Sequence, residues 1–366
     1  MEKKKVGIIT FHTADNYGAL YQSYALEKFI SQHFDYNVEI INYCTERHIE
    51  AYKLLRKRSD NPLKNLYRNF LVIKRYLAFK NKKIKFQKFR EQYLVLSAVR
   101  YATEESLLKT KLDYDICVTG SDQVFHPYIE DYRAYYMAFS SFNGRKVAYA
   151  PSFGIKDFTP EVAQKVKPLI SDYYALSCRE KDGAEFISAL IRKDVPVVLD
   201  PVLLIDSKEW HKFPCDISTP SKYIFVYDLN GGAALVEIAK RIQARYGGQI
   251  ICATSNSNLS VKNVTYLYDL GPLEMIGFIN EATFVVTDSF HGTAMAVAME
   301  TKVISYVAHK IASSRAISLL SQLDIADQIC QDINAFDITT VQFKSYRDKL
   351  ERLRECSIRF LEDALN

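Results

Sequence analysis

The sequence lacks the patterns that mark membrane-spanning, secreted and disulfide-bonded proteins. It contains no apolar run of about 18 residues, so we expect no membrane-spanning helix. The opening segment MEKKKVGIITFH has a basic start, but its apolar run is shorter than a signal-peptide core and His12 interrupts it. The seven cysteines are scattered and form no C-x-x-C pair, which argues against a disulfide framework. We therefore expect a cytoplasmic protein.

Signatures of metal binding, nucleic-acid binding and repeat architecture are also missing. The seven histidines are dispersed, without an H-x-x-x-H pair or a carboxylate cluster, so we expect no metal site. No nucleic-acid motif accompanies the basic charge, so we expect no nucleic-acid partner. No fixed-period repeat occurs, which argues against a solenoid or a propeller.

What the sequence does contain indicates a globular protein of two domains. Its 366 residues exceed the roughly 250 to 300 at which a single core stops growing. Hydrophobic residues make up 48% and charged residues 25%, which is ordinary for a folded protein that is not disordered. Short apolar runs alternate with helical patterns, which is the βαβ rhythm of an α/β fold with parallel sheets.

The alternation predicts two series of strands, each with helices between them. The predicted strands are 6–11, 37–43, 114–120, 145–154, 173–180 and 195–204, then 223–229, 248–254, 263–267, 283–289 and 302–307. The predicted helices are 16–34, 160–171, 181–192, 232–246 and 342–364, with others that begin at Pro272, His291 and Ser314.

A domain boundary is predicted where this periodicity stops. Residues 205–222 lose the pattern and contain Pro214 and Pro220. We expect a first α/β domain over 1–205, a second Rossmann-like domain over 206–338, and a helix within 339–366 that packs back on the first domain. Two such domains would face a cleft at the carboxyl ends of their strands, where helix N-termini favour anionic substrates.

The first domain carries a basic insert, predicted to be helical, over about 46–110. Between Glu46 and Arg100 there are sixteen Lys or Arg residues and four acids, which gives a local net charge of +12. The apolar residues recur at helical spacing, so cationic outer faces are expected. Three interpretations remain open: a solvated helical insert, a cationic surface that binds an anionic acceptor, or residues 46–100 in peripheral contact with an anionic membrane surface.

The segment VVTDSFHGTAMAVAM, residues 285–299, is the strongest candidate site. A strand ends at Asp288 and Ser289, and a helix begins near His291 and Gly292. A histidine beside an anion-binding helix N-terminus can act as a general acid or base. The spacing fits equally well an Asp288 or Ser289 helix cap with His291 packed beside it.

Three other polar clusters follow predicted strands. Arg179 could clamp a phosphate or carboxylate, or could form an ion pair with Glu180 or Asp182. Asn16, Tyr17 and Gly18 form a turn that lacks the glycine spacing of a dinucleotide site. Ser121 and Asp122 could orient sugar hydroxyls or could form a capped turn. No cysteine is a convincing nucleophile.

In this order, the clusters resemble the polysaccharide pyruvyl transferase family. The matching segments are GIITFHTADNYGALYQSYAL, DICVTGSDQVF, YAPSFG, CREKDGAEFI, VLDPVLL, VTDSFHGTAMAVAM and SSRAISLLSQLDI. The resemblance implies a GT-B-type fold of two Rossmann-like domains. It also implies transfer of pyruvate from phosphoenolpyruvate, as co-substrate and without a cofactor, to a sugar of a cell-surface polysaccharide or its precursor.

The resemblance assigns roles to the candidate residues. The catalytic group would be His291, Asp288 and Ser289. The donor-binding group would be Arg179, Arg315, Gly292 and Lys310. The acceptor-binding group would be Asn16, Tyr17, Gly18, Ser121 and Asp122. Some relatives read Ser-Arg-Leu-His where this chain has Phe290 before His291, so either another cation supplies the missing charge or the donor differs.

Two other functions remain open at this stage. A GT-B-type glycosyltransferase would use a nucleotide sugar, and a non-catalytic relative would bind a saccharide without chemistry. The acceptor sugar is not specified by the sequence. The basic insert favours a lipid-linked acceptor and a peripheral location at the inner face of the cell membrane.

Overall fold

A computed structural model describes residues 3–366 except 54–69, 71, 72, 74, 156, 215, 216, 231, 257, 258 and 308–313. The chain divides into two compact units. The first unit comprises 1–49, 93–205 and 347–366, and the second comprises 50–92 and 206–346. Residues 50–92 therefore group with the second unit, whereas the sequence predicts that the whole basic insert belongs to the first domain.

The described residues form twelve strands and thirteen α-helices, numbered in chain order. The strands are β1 (Lys5–Ile9), β2 (Asn37–Tyr43), β3 (Leu96–Tyr101), β4 (Ile116–Asp122), β5 (Arg145–Pro151), β6 (Ala175–Leu176), β7 (Tyr223–Asp228), β8 (Gln249–Thr254), β9 (Val264–Leu267), β10 (Phe284–Thr287), β11 (Val303–Tyr306) and β12 (Ile329–Cys330). The helices are α1 (Tyr17–Phe34), α2 (Glu46–Ala51), α3 (Tyr76–Tyr93), α4 (Glu104–Lys109), α5 (Tyr132–Tyr135), α6 (Pro160–Ile170), α7 (Lys181–Ile191), α8 (Ser207–His211), α9 (Ala234–Tyr246), α10 (Pro272–Glu281), α11 (Phe290–Ala298), α12 (Ser314–Gln322) and α13 (Arg347–Leu365).

Each unit contains one parallel sheet with the same strand order. The described strands of the first unit are arranged β3-β2-β1-β4-β5-β6, and those of the second unit β12-β11-β10-β7-β8-β9. Every strand pair is parallel. Counted from the first strand of each unit, both sheets follow the Rossmann order 3-2-1-4-5-6. The predicted α/β class with two Rossmann-like units is confirmed.

The central strands are buried because helices cover both faces of a parallel sheet. All six residues of β7 and all four of β10 are buried, which explains their continuous apolar sequences. In the first unit Ile9, Cys117 and Ala148 contribute to one core. No described helix is long and apolar enough to cross a bilayer.

Helix α3 explains why part of the basic insert groups with the second unit. The ring of Phe89 stacks on Phe213 with centroids 6.0 Å apart, and both side chains are buried. Lys85 Nζ lies 2.6 Å from Glu274 Oε1 and donates to the carbonyl of Asp269 at 3.1 Å. The predicted helical character of the insert is correct for α3, but 96–101 forms strand β3 of the first unit.

The predicted strand over 195–204 is wrong. Val197 forms a single isolated bridge with Cys178, and Pro201–Leu203 is a 3-10 turn capped by Asp200, whose carboxylate accepts from the Val202 N–H at 3.1 Å. Residues 198–204 are buried as irregular chain, whereas Pro196 and Val197 are exposed.

Within the first unit, helix α13 packs beside this irregular segment. Ser357 Oγ accepts from the N–H of Leu199 at 3.0 Å, and Arg354 Nε donates to the carbonyl of Leu203 at 2.8 Å. The buried polar groups of the helix therefore satisfy backbone atoms that no strand partner reaches.

Candidate active site

In the second unit, the residues after β10 lie at the topological switch point of the sheet. The chain order reverses between β7 and β10, which are hydrogen-bonded neighbours. Open α/β sheets bind ligands outside the carboxyl ends of the strands at this point. Asp288, Ser289 and His291 leave β10 at that end.

Asp288, which follows β10, is hydrogen-bonded to the loop that follows β7. Its carboxylate accepts from the backbone N–H of Leu229 at 2.9 Å and of Asn230 at 3.2 Å, and from the side-chain amide of Asn230. Both carboxylate oxygens are therefore engaged by the loop that follows β7. The structure gives Asp288 the role of fixing that loop.

Ser289 and Gly292 fix the start of helix α11. Ser289 is the N-cap, and its Oγ accepts from the Gly292 N–H at 3.2 Å. A Cβ added at Gly292 would lie 2.6 Å from Thr287 Oγ1 and 2.8 Å from Tyr227 Cδ1. Glycine is therefore required there because the helix approaches two strands closely.

His291 and Arg315 both contact the ring of Phe290. The imidazole of half-buried His291 meets that ring edge to face, with centroids 5.1 Å apart. The Arg315 guanidinium carbon lies 5.5 Å from the centroid of the same ring. Helix α11 has no acidic residue in its first turn, so its N-terminus keeps the positive end of the helix dipole. His291 and Arg315 thus share Phe290 as a common neighbour.

Three further residues at these strand ends were not predicted from the sequence. They are Tyr227 and Asp228 in β7 and Thr254 in β8. Asp228 accepts from Thr254 Oγ1 at 3.0 Å and from the Gly232 N–H at 3.2 Å. Burial, reinforced by the negative charge of Asp288, raises the pKa of Tyr227 well above its ordinary value. The glycine pair after the predicted strand 223–229 was a usable signal for this turn.

In the first unit, Arg179 is held by three carboxylates. Its side chain is 3% exposed; Nη1 lies 2.7 Å from Asp200 Oδ2, Nε 3.1 Å from Glu180 Oε1, and Nη2 3.7 Å from Asp122 Oδ1. Burial opposes the charged form, but these carboxylates outweigh it and raise the pKa of Arg179. Asp200, which the sequence analysis did not select, is fully buried beside it.

Asp122 has a backbone conformation that is rare for any residue except glycine. It ends β4 with φ 65° and ψ −169°, and its side chain does not cap the 3-10 turn that follows. Such a conformation costs about 1–3 kcal/mol and persists where the surroundings enforce it, often at functional sites. The adjacent Ser121 is buried, and its hydroxyl donates to the Ala150 carbonyl at 2.9 Å.

Asn16, Tyr17 and Gly18 begin helix α1 after β1. Exposed Asn16 is the N-cap, and its Oδ1 accepts from the Ala19 N–H at 3.2 Å. Tyr17 and Gly18 are buried. Lys310, the remaining predicted donor-binding residue, lies outside the described residues.

Comparison with solved structures defines the class of fold. A UDP-N-acetylglucosamine 2-epimerase matches with a TM-score of 0.54 and 11% identity, over 100% of this chain and 96% of that chain. The Neisseria meningitidis UDP-GlcNAc 2-epimerase bound to UDP-GlcNAc matches with a TM-score of 0.50 and 11% identity, over 98% and 100%. At these identities the likeness shows the fold alone, which is the GT-B type with two Rossmann-like units.

The family is defined by a second comparison. The family model for polysaccharide pyruvyl transferase matches residues 16–310, which is most of the chain. The chain therefore belongs to the polysaccharide pyruvyl transferase family. It is an enzyme, a transferase of polysaccharide biosynthesis, and the saccharide-binding alternative without chemistry is set aside. No curated protein matches the chain.

Proposed function

We propose that the enzyme transfers a pyruvyl group from phosphoenolpyruvate to two hydroxyls of a sugar, forming a cyclic ketal. A proton added to the methylene carbon of the donor makes the adjacent carbon electrophilic. One sugar hydroxyl then adds to that carbon and loses its proton. The carbon–oxygen bond to phosphate breaks, phosphate leaves, and the second hydroxyl closes the ring with loss of its proton. The family membership is the observation that carries this proposal.

We assign the proton transfer to His291. Its imidazole lies at the switch point of the second sheet, next to the N-terminus of α11, where an anionic donor is favoured. A positioned histidine contributes about 10²- to 10⁴-fold to such a step. Asp288 and Ser289 support His291 indirectly, because they fix the loop after β7 and the start of α11.

The charge missing at Phe290 is supplied by Arg315 in this proposal. Some family members have arginine in the segment before the histidine, whereas here the guanidinium of Arg315 lies over the Phe290 ring. Arg315 can therefore hold the donor phosphate or carboxylate beside His291, with α11 as the second anchor. Arg179 is a weaker candidate for this role because Asp200 and Glu180 already neutralise it.

We assign acceptor recognition to Asp122 and Asn16 in the first unit. Asp122 is the last residue of β4, and the exposed Asn16 follows β1, the strand that pairs with β4. A carboxylate and an amide are suitable partners for sugar hydroxyls. Arg179 and the buried hydroxyl of Ser121 would act as positioning groups for Asp122. We propose a lipid-linked saccharide precursor at the cytoplasmic face of the membrane as the acceptor.

The donor can be tested by ligand-induced stabilisation. A ligand that binds only the native state raises the melting temperature. We expect phosphoenolpyruvate to raise the melting temperature of the enzyme, and we expect Arg315→Ala to abolish that rise while leaving the unliganded melting temperature unchanged. Lys240→Ala, an exposed cation on α9, is the matched control.

The nucleotide-sugar alternative has a distinct outcome in the same experiment. The epimerase from Neisseria meningitidis was solved with UDP-GlcNAc, so that compound is the appropriate comparison ligand. Stabilisation by UDP-GlcNAc and none by phosphoenolpyruvate would contradict the proposed donor.

A further inference from the structure

Exposed apolar side chains are concentrated in the basic part of the second unit. Thirteen large apolar residues are exposed in the described part of the chain, and five of them lie between Phe70 and Ile84. Their exposed fractions are 61% for Phe70, 59% for Ile73, 40% for Tyr76, 73% for Leu77 and 41% for Ile84. Single exposed apolar residues are ordinary, but a cluster indicates an interaction surface.

On helix α3 these residues form a row with two lysines. Leu77, Lys80, Ile84 and Lys88 are three or four residues apart, so they lie along one side of the helix. All four are exposed, and Tyr76 adjoins the row at the N-terminal end. We call Tyr76, Leu77, Lys80, Ile84 and Lys88 the α3 outer face.

The opposite side of α3 is anchored to the second unit. Phe86 and Phe89 are buried, and Phe89 stacks on Phe213. Lys85 pairs with Glu274, and the Arg75 guanidinium carbon lies 3.6 Å from the centroid of Tyr268. The helix is therefore oriented by its own buried face, and the apolar residues of the outer face are not needed for that packing.

The positive charge of helix α3 indicates which kind of partner its outer face binds. Helix α3 carries six lysine or arginine residues and one acid, Glu91, whose carboxylate accepts from Gln87 Nε2 at 2.7 Å. Lysines flanking an apolar row match a surface that is negatively charged outside and apolar beneath. Apolar side chains enter the interfacial layer of such a surface, while lysine stems extend along it and keep their ammonium groups at the headgroups.

We propose that the α3 outer face binds an anionic lipid bilayer, with Leu77 and Ile84 inserted at the headgroup boundary and Lys80 and Lys88 at the lipid phosphates. A nucleic acid or an acidic polysaccharide would match the lysines but would leave the apolar row in water. This surface shares no residue with the candidate catalytic and acceptor-binding groups, and its binding requires neither donor nor acceptor. It places the enzyme on the membrane where a lipid-linked acceptor would be found.

Vesicle sedimentation with the full chain tests this inference directly. The vesicles are phosphatidylcholine alone or phosphatidylcholine with phosphatidylglycerol, at low and at high salt. We expect binding only to the vesicles that contain phosphatidylglycerol, with loss at high salt because screening weakens the lysine contribution. The double variant Lys80→Glu/Lys88→Glu should weaken partitioning by about 25-fold or more, from about fivefold per lysine.

The apolar contribution is tested by Leu77→Ser/Ile84→Ser, which should lower partitioning by about tenfold or more. Matched controls are Lys240→Glu, an exposed lysine on α9, and Tyr128→Ser, an exposed aromatic residue in the first unit; both should bind as the parent does. Circular dichroism confirms that each variant is folded.

Three results would overturn the proposal. They are equal binding to both vesicle types, unchanged binding by both double variants, and retention on an immobilised polyanion without binding to anionic vesicles. Because the measurement uses no substrate, a failure here leaves the proposed reaction untouched, and a failure of turnover leaves this surface untouched.

Discussion

At the scale of single residues, the candidate residues differ in whether contacts within the fold already explain their residue types. Arg179, Ser289 and Gly292 have structural partners or clearances that account for their residue types without a ligand. His291 and Arg315 share contact with Phe290 at a strand end where ligands bind in this class of sheet. This difference supports a site in which a few side chains act on the substrates and a larger number of residues hold those side chains in position.

Asp122 provides a residue-scale prediction in which stability and activity change in opposite directions. Its conformation suits glycine, so Asp122→Gly should raise the free energy of unfolding by about 1 kcal/mol, measured by denaturant titration. The same change should lower acceptor-dependent turnover because it removes the carboxylate. Asp122→Asn also loses the charge beside Arg179 but keeps the strain, so it should be the less stable of the two variants. If Asp122→Gly proved less stable than Asp122→Asn, the backbone strain would not be real.

The chemistry of residues after strands could be predicted from sequence, but their partners could not. The sequence indicates Asp288, Ser289 and His291 because a strand and a helix meet there. Sequence spacing does not distinguish a catalytic role from a helix cap with a packed ring, because spacing does not show distance. The structure shows that Ser289 is a cap and that Asp288 binds the loop after β7. Asp200 was missed because it lies in an apolar run predicted as a strand.

At the scale of secondary structure elements, helix α1 contains a buried acid with a consequence for stability. Burial raises the pKa of Glu27 to about 7, while nearby Lys28 and Ser31 lower it only in part. Between the ordinary carboxyl pKa of about 4.3 and about 7, the folded state keeps a proton that the unfolded state has released. The free energy of unfolding should therefore fall as pH rises through this window.

The variant Glu27→Gln should remove this dependence and be the more stable protein above pH 7, by up to about 3 kcal/mol. Chemical denaturation at a series of pH values measures the slope for the parent and the variant. Glu185→Gln, an exposed acid on α7, is the matched control and should keep the parental slope. A parental slope in Glu27→Gln would show that other groups cause the pH dependence.

Elements were predictable where local pattern and long-range packing agree. The strands that became β1, β4, β7 and β10 each contain a short apolar run, and the helices that begin at Pro272 and after Ser289 have clear start signals. Strand β3 was missed because it lies inside a segment dominated by helical periodicity and basic charge. Its place is fixed by pairing with β2, which a local pattern cannot reveal.

At the scale of the whole molecule, two Rossmann-ordered sheets occur in one chain, and the family is polysaccharide pyruvyl transferase. The two-unit organisation followed from length and from the break in periodicity. The grouping of 50–92 with the second unit did not, because it depends on contacts such as Phe89 with Phe213 between distant parts of the sequence. Length and pattern set the number of units, whereas tertiary contact decides which segment belongs to each.

His291 is the residue to which we assign proton transfer in pyruvyl transfer from phosphoenolpyruvate. The most direct measurement is phosphate release with phosphoenolpyruvate and a panel of saccharide acceptors, with the ketal product identified by mass spectrometry. We predict acceptor-dependent turnover for the parent, a loss of about 100-fold or more in kcat for His291→Gln, and parental kcat for His211→Gln, an exposed histidine on α8. Near-parental kcat in His291→Gln with an active acceptor would show that another group transfers the proton.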